Sequence, residues 1–264
     1  MQKNILFLIV CFFIKTSLFA SNLLVPGSLT HENKVVLTQE IEGSIPIQNE
    51  SDKPITVKVS LSDYSFNSKG ESLFSSMGSN PRSNSSWIQT NKMLFEIAPH
   101  STYSFAYTLK VPNEKSLSGT YWSIFLIEPV EASLQSPDKK QSLGVQTIIR
   151  YGVQIITHVG DSGTCDLKIL TKQIIKENAK KFFSLQVENP GTRSLSPVMS
   201  IELVDLSGKK IGRFETVKQR ILPTCSVSYQ VDLSTVVDGK YKAMVFLDNG
   251  DNAFFGAQYD LTLD

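Results

Sequence analysis

Catalysis and metal binding need reactive side chains gathered at defined spacing, and this chain offers few candidates. Its three histidines, His31, His100 and His158, lie far apart. None has a second His, Cys or carboxylate at ligand spacing on one element, so no metal site is assigned. His100 stands in Pro99-His100-Ser101, which reads as a turn between two strands. The serines fill loops. No Gly-x-Ser-x-Gly elbow surrounds any of them, and no Gly-x-Gly-x-x-Gly follows a strand. Asp248-Asn249-Gly250-Asp251-Asn252 begins like a calcium loop, but Gly250 at the third position brings no side-chain oxygen and no Glu follows. Asn249-Gly250 is instead a hairpin turn, since both residues accept positive φ. The expectation is a protein without catalytic residues or cofactors, one that binds and does not convert.

Residues 1–20 are expected to be a secretory signal peptide. Lys3 starts a short basic region, an apolar run covers Ile5 to Ile14, and Ser17-Leu18-Phe19-Ala20 ends on a small residue. The run is too short to span a bilayer, and no other stretch approaches the roughly 18 apolar residues of a membrane helix. Cleavage removes Lys3 and Lys15 and takes the formal charge from +1 to −1. A near-neutral chain with scattered Lys and Arg has no electrostatic footprint for nucleic acid or anionic lipid. The expected location is the periplasm or, more broadly, the cell envelope or medium, with no membrane insertion after cleavage. Cys11 leaves with the leader, which leaves Cys165 and Cys225. In an oxidising compartment that pair is a disulfide candidate, and its closure would add about 4 kcal/mol in the chain-entropy model. Two buried free thiols are the other reading, because a bond requires Cα atoms within about 7 Å.

The elements around these residues read as strands throughout. Alternating runs rich in Val, Ile, Thr, Tyr and Phe lie at Lys34–Gln39, Glu42–Gln48, Ile55–Phe66, Met93–Ile97, Thr102–Val111, Thr120–Glu128 and Val145–Val159. They recur at Asp166–Ile174, Phe182–Glu188, Val198–Asp205, Lys210–Glu215, Ser226–Leu233, Lys240–Leu247 and Ala253–Leu263. Without intervening helices, such strands form antiparallel sheets. The predicted fold is all-β, with two tandem immunoglobulin-like sandwiches, an N-terminal domain over 21–160 and a C-terminal domain over 164–264. Gly160-Asp161-Ser162-Gly163 is read as a short flexible link that few contacts cross. Ser68–Ser86 and Glu131–Leu143 break the rhythm and are read as exposed loops, the second just ahead of the last strand of the first domain. Most aromatics belong to the core. Trp87, entered from a polar loop, is the one assigned to a partner-facing surface.

One run of motifs resembles a known family. Asn49-Glu50-Ser51-Asp52-Lys53-Pro54-Ile55, Trp87-Ile88, Phe95-Glu96-Ile97-Ala98-Pro99-His100-Ser101, Val111-Pro112, Gly119-Thr120-Tyr121-Trp122-Ser123-Ile124 and Arg150-Tyr151-Gly152-Val153-Gln154-Ile155 follow one another. Their order resembles the N-terminal domain of periplasmic pilus-assembly (PapD-like) chaperones and of the related WxL-interacting surface proteins. The resemblance covers 34–159 and extends loosely over the second domain. It implies a chaperone-like protein that holds or assembles other exported proteins, pilin-like or other envelope subunits. The last strand of the first domain, after the loop Glu131–Leu143, would lend its edge to the partner by β-augmentation. The residues implicated are Val145, Ile149, Arg150, Tyr151 and Val153, and Trp87 is assigned to partner binding separately, on the polar loop that leads into it. The alternative is that this strand is fully paired in its own sheet, its apolar side chains in the core. The chaperones also anchor a partner's terminal carboxylate with two basic residues. Arg150 is a candidate for one, while the first strand offers only His31 and Lys34, outside the expected pattern. The other class of function is a structural or adhesive surface protein binding a wall polymer or surface partner, which needs no such pair.

Overall fold

The computed structural model describes residues 23–130, 148–250 and 253–264. The expected leader, the loop Glu131–Leu143 and Val145 lie outside the described residues. The first sandwich comprises β1 (Leu23–Leu24), β2 (Thr30–Val35), β3 (Glu40–Asn49), β4 (Ile55–Phe66), β5 (Ser72–Ser75), β6 (Ile88–Gln89), β7 (Leu94–Ile97), β8 (Ser101–Lys110), β9 (Gly119–Pro129) and β10 (Tyr151–Val159). One sheet runs β1-β3-β8-β6. The facing sheet runs β2-β10-β9-β4-β5, with β7 also on β4.

The second sandwich comprises β11 (Lys168–Glu177), β12 (Lys180–Glu188), β13 (Val198–Asp205), β14 (Lys210–Glu215), β15 (Ser226–Asp232), β16 (Gly239–Asp248) and β17 (Phe254–Leu263). Its sheets are β11-β12-β15 and β14-β13-β16-β17. The chain is all-β, two immunoglobulin-like sandwiches in tandem. Its strands pair antiparallel, except that β2 runs parallel to β10.

Alternation sets the faces. Ile45 and Ile47 of β3 and Phe105, Tyr107 and Leu109 of β8 turn inward, while Glu40 and Glu42 stay in water. The Phe125 ring of β9 meets Phe105 edge-on at 5.2 Å and Tyr107 at 5.5 Å, which joins the two sheets. Each such buried side chain contributes about 1.5–3 kcal/mol. β9 differs from its neighbours because it is buried on both faces. Tyr121, Phe125 and Ile127 enter the first core. Trp122, Ile124 and Leu126 face the other way, into a second apolar cluster with Tyr64, Ile156, Leu222 and Cys225. Leu222 and Cys225 come from the second sandwich, so this cluster is the seam between the two.

Five expectations need correction. The strand expected at Lys34–Gln39 lies instead at Thr30–Val35, because Gln39 N–H closes a turn on the Val36 carbonyl and Thr38 takes φ +67°. Ser68–Ser86 is not uniformly an exposed loop. β5 pairs with the end of β4, and Asn84 and Ser85 are buried.

Trp87 is 7% exposed and belongs to the first core, its ring against Tyr121 at 4.8 Å. The 3-10 turn Ser85–Trp87 folds it under the sandwich, and the buried Asn84 amide fixes that turn by donating to the Ile155 carbonyl and to Thr157 Oγ1. The Cys165–Cys225 bridge is not formed, and both residues are free thiols. Cys225 packs its sulfur into the apolar seam, while Cys165 lies half-buried in the link between sandwiches.

That link is also tighter than a Gly-rich sequence implies. Gly119 sits at φ +77°, and a Cβ there would stand 2.2 Å from the Thr192 carbonyl oxygen of the second sandwich. Thr120 N–H donates to the same oxygen at 2.8 Å, and Ser194 N–H donates to Thr120 Oγ1 at 2.8 Å.

Candidate partner-binding edge

The upstream end of β10 is the part of the first sandwich that geometry leaves for a partner. β10 pairs with β9 over its whole length, from Tyr151 opposite Ile127 to Val159 opposite Gly119. On its other side β2 begins only at Gln154, whose N–H donates to the Leu29 carbonyl at 2.9 Å, and continues to Val159. The predicted edge is therefore closed over Gln154–Val159. Among the described residues, no strand lies beside Tyr151–Val153 on that side.

The side chains assigned to this edge separate into two groups. Val153 is fully buried and Tyr151 half-buried, and both pack into the sandwich's own core, as does Ile155. The Tyr151 hydroxyl donates to the Leu23 carbonyl at 3.0 Å. As partner-facing residues, Tyr151 and Val153 are corrected. The period-2 pleat that places them on one face places that face inward. Ile149 lies just upstream of β10 and is 42% exposed, with Ile148 beside it at 38%. Val145 lies outside the described residues.

Arg150 is exposed and forms a two-toothed ion pair with Glu128 of β9, at 2.6 Å from Nε and 2.5 Å from Nη2. Lys58 of β4 faces Glu128 across the ladder. With Pro129, Val130 and Ile148 these residues line an open groove of about 510 Å³. The lining thus mixes apolar side chains with the Arg150–Glu128 ion pair.

A carboxylate anchor built from Arg150 and a basic residue of the first strand does not assemble. Lys34 pairs with His158 at the far end of β10, about 26 Å along the strand from Arg150. Lys34 Nζ is held by Asp161. His31 is turned inward, its Nδ1 2.8 Å from the Tyr107 hydroxyl. Burial lowers the histidine's pKa and pushes the tyrosine's up to about 12.

Sequence reading missed the polar contacts at the joint between sandwiches. Glu32 of β2 accepts from Arg220 Nη2 at 2.6 Å and pairs with His158 Nε2 at 2.7 Å. Glu32 and Arg220 lie so far apart in sequence that no local pattern relates them. Asp63 is buried too, accepting from Ser83 Oγ and from the Asn80 N–H at 2.8 Å, and so fastens the segment after β5. Among the described residues, no three His, Cys, Asp or Glu side chains converge on one point.

No family model matches the sequence, and no curated protein does. Among solved structures, the chain is similar to the class 5 fimbriae chaperone CfaA at 12% identity, covering 92% of this chain and 100% of that one, with a TM-score of 0.48. It is similar to a chain of the CsuC–CsuE chaperone–tip adhesion subunit pre-assembly complex of Acinetobacter baumannii at 10% identity, covering 90% and 97%, with a TM-score of 0.43. It is also similar to the E. coli chaperone DraB at 13% identity, covering 90% and 96%, with a TM-score of 0.40.

Proposed function

We propose that the chain is an exported, non-enzymatic, chaperone-like binding protein that holds or assembles other exported envelope or surface proteins. It does so by taking a partner's strand onto the upstream edge of β10. The observation that supports this reading is where β2 stops. It covers β10 only from Gln154 onward, and at Tyr151–Val153 no described strand takes its place. Immediately upstream stand the exposed Ile148 and Ile149. A partner strand in line with β2 would gain the backbone hydrogen bonds of that edge, while these isoleucines would supply apolar contacts. The motif order over 34–159 supports the same reading, and it supports the periplasm as the location. The terminal-carboxylate clamp forms no part of it, since Arg150 and Lys34 are too far apart to share a ligand.

Replacing Ile149 by Lys tests the proposal. The residue is exposed, so the variant is expected to keep the wild-type melting temperature. It would place a charge where the partner's side chain docks, at a desolvation cost of a few kcal/mol. The expected outcome is normal melting with loss of co-purifying envelope proteins, identified by mass spectrometry after isolation from an envelope fraction. A variant that melts normally and retains every partner sinks the edge reading. Recovery of wall polymer in place of protein would favour the display of loops on a structural surface protein.

A further inference from the structure

Alternation along β10 decides which way each backbone group points. Gln154 N–H donates to Leu29 on the β2 side. Gly152, two residues upstream, therefore directs its N–H and C=O the same way, while Tyr151 and Val153 turn theirs to β9. Among the described residues, no backbone group meets the Gly152 pair. Unpaired groups on a strand edge are open to any passing strand.

Beside this edge runs the crossing from β1 to β2, Val25-Pro26-Gly27-Ser28-Leu29. Its two ends belong to facing sheets, since β1 pairs with β3 and β2 with β10. Leu23 and Val25 are buried in the first core and fix one end. The chain then turns at Gly27, φ +90°, where a Cβ would meet nothing within 4 Å. The Ser28 hydroxyl holds the turn, accepting from the Thr30 N–H at 3.1 Å and donating to the Thr30 carbonyl at 2.7 Å.

The β2–β10 register, carried two residues upstream, sets Gly152 opposite Ser28. In a parallel ladder the Gly152 N–H would then meet the Gly27 carbonyl, and the Gly152 carbonyl the Leu29 N–H. Pro26 is no obstacle, because its nitrogen would point away from β10. Facing sheets stand about 10 Å apart, and the three steps from Leu24 to Gly27 reach about 10 Å. The crossing now takes the five steps from Leu24 to Leu29, which reach about 17 Å. It thus holds two residues of slack, enough to cover Gly152 without drawing Leu23 or Val25 from the core. Closure would also turn Leu29, 41% exposed, to the face that Val153 and Ile155 share.

We propose that Gly27–Leu29 is a strap that straightens onto Gly152 when the β10 edge has no partner, and swings back into the Gly27 turn when a partner strand takes that edge. The strap is a guard built from the chain's own backbone, at an edge that must stay usable. What displaces it rests on the β10 reading; that it closes does not.

Amide hydrogen exchange of Gly152, read by NMR on the purified chain without partner, tests closure. Gly27→Val disfavours the positive φ and drives the segment to extended backbone, with no clash at the new Cβ. Gly27→Asn tolerates the turn. Ser28→Ala removes the hydroxyl that holds it. Gly152 is expected to exchange about tenfold more slowly than wild type in Gly27→Val, more slowly in Ser28→Ala, and at the wild-type rate in Gly27→Asn. Gly27→Val should also recover several-fold less envelope protein. Wild-type exchange at Gly152 in both Gly27→Val and Ser28→Ala overturns the proposal, and Ser28→Ala decides alone if the valine chain does not fold. Slowed exchange with undiminished partner recovery overturns the gating. If Ile149→Lys keeps every partner, the β10 reading fails while the exchange result still decides closure, so the two failures are distinguishable.

Discussion

Cys225 shows how one buried side chain ties stability to pH. Burial in the seam pushes its thiol up from 9.0 to about 11. An unfolded chain releases that proton near pH 9, whereas the folded chain keeps it. The stabilisation is therefore complete below about pH 9 and drains away as the pH rises to about 11. Denaturant titrations across this window should show a falling limb, shallower in Cys225→Ala. A limb of unchanged slope would exclude the thiol as its source. Trp87 makes a second case. Truncation to Ala should cost about 3–5 kcal/mol, as for a core aromatic, readable from the denaturant midpoint at constant slope. The polar residues ahead of Trp87 suggest a surface, and nothing local says otherwise. What buries the ring is Asn84, whose partners Ile155 and Thr157 lie on a strand far along the chain. A local reading sees polarity there and cannot see which backbone it serves.

Strands were legible where one face is wet. β3, β4, β8, β13 and β16 follow from alternation and punctuation to within a residue or two. β9 was legible as a strand, but the unbroken run Trp122-Ser123-Ile124-Phe125-Leu126-Ile127 also carried an unread message, that both faces are covered. The pairing of β10 was not legible, because a parallel neighbour arriving from the other end of the domain leaves no mark in β10's own pattern. At this scale Gln154→Pro is informative. It removes the N–H that starts the β2 ladder, and native-state hydrogen exchange should show β2 amides losing protection while β9 amides keep theirs. Equal loss across both strands would mean that β2 and β9 open as one unit. Val153→Lys provides the contrast with Ile149→Lys. At a fully buried position an unpaired charge should cost several kcal/mol and lower the melting temperature by many degrees.

The joint between the two sandwiches combines apolar packing, the Glu32–Arg220 ion pair and backbone bonds at Thr120. Gly119→Ala is the sharpest probe of that joint. A methyl group there meets the Thr192 carbonyl and strains a positive φ, at a cost of about 1–3 kcal/mol. The expected result is a lower melting temperature with a larger radius of gyration in solution scattering; an unchanged radius would mean the joint is not held at this point. The parallel pairing of β2 with β10 has a further consequence, which concerns time. A chain synthesised from its N-terminus presents β2 early and β10 only after the rest of the first sandwich has emerged. Loop-closure entropy opposes that contact until both ends are present. β2 is then the last strand of its sheet to be fixed, so the order of emergence is not the order of assembly.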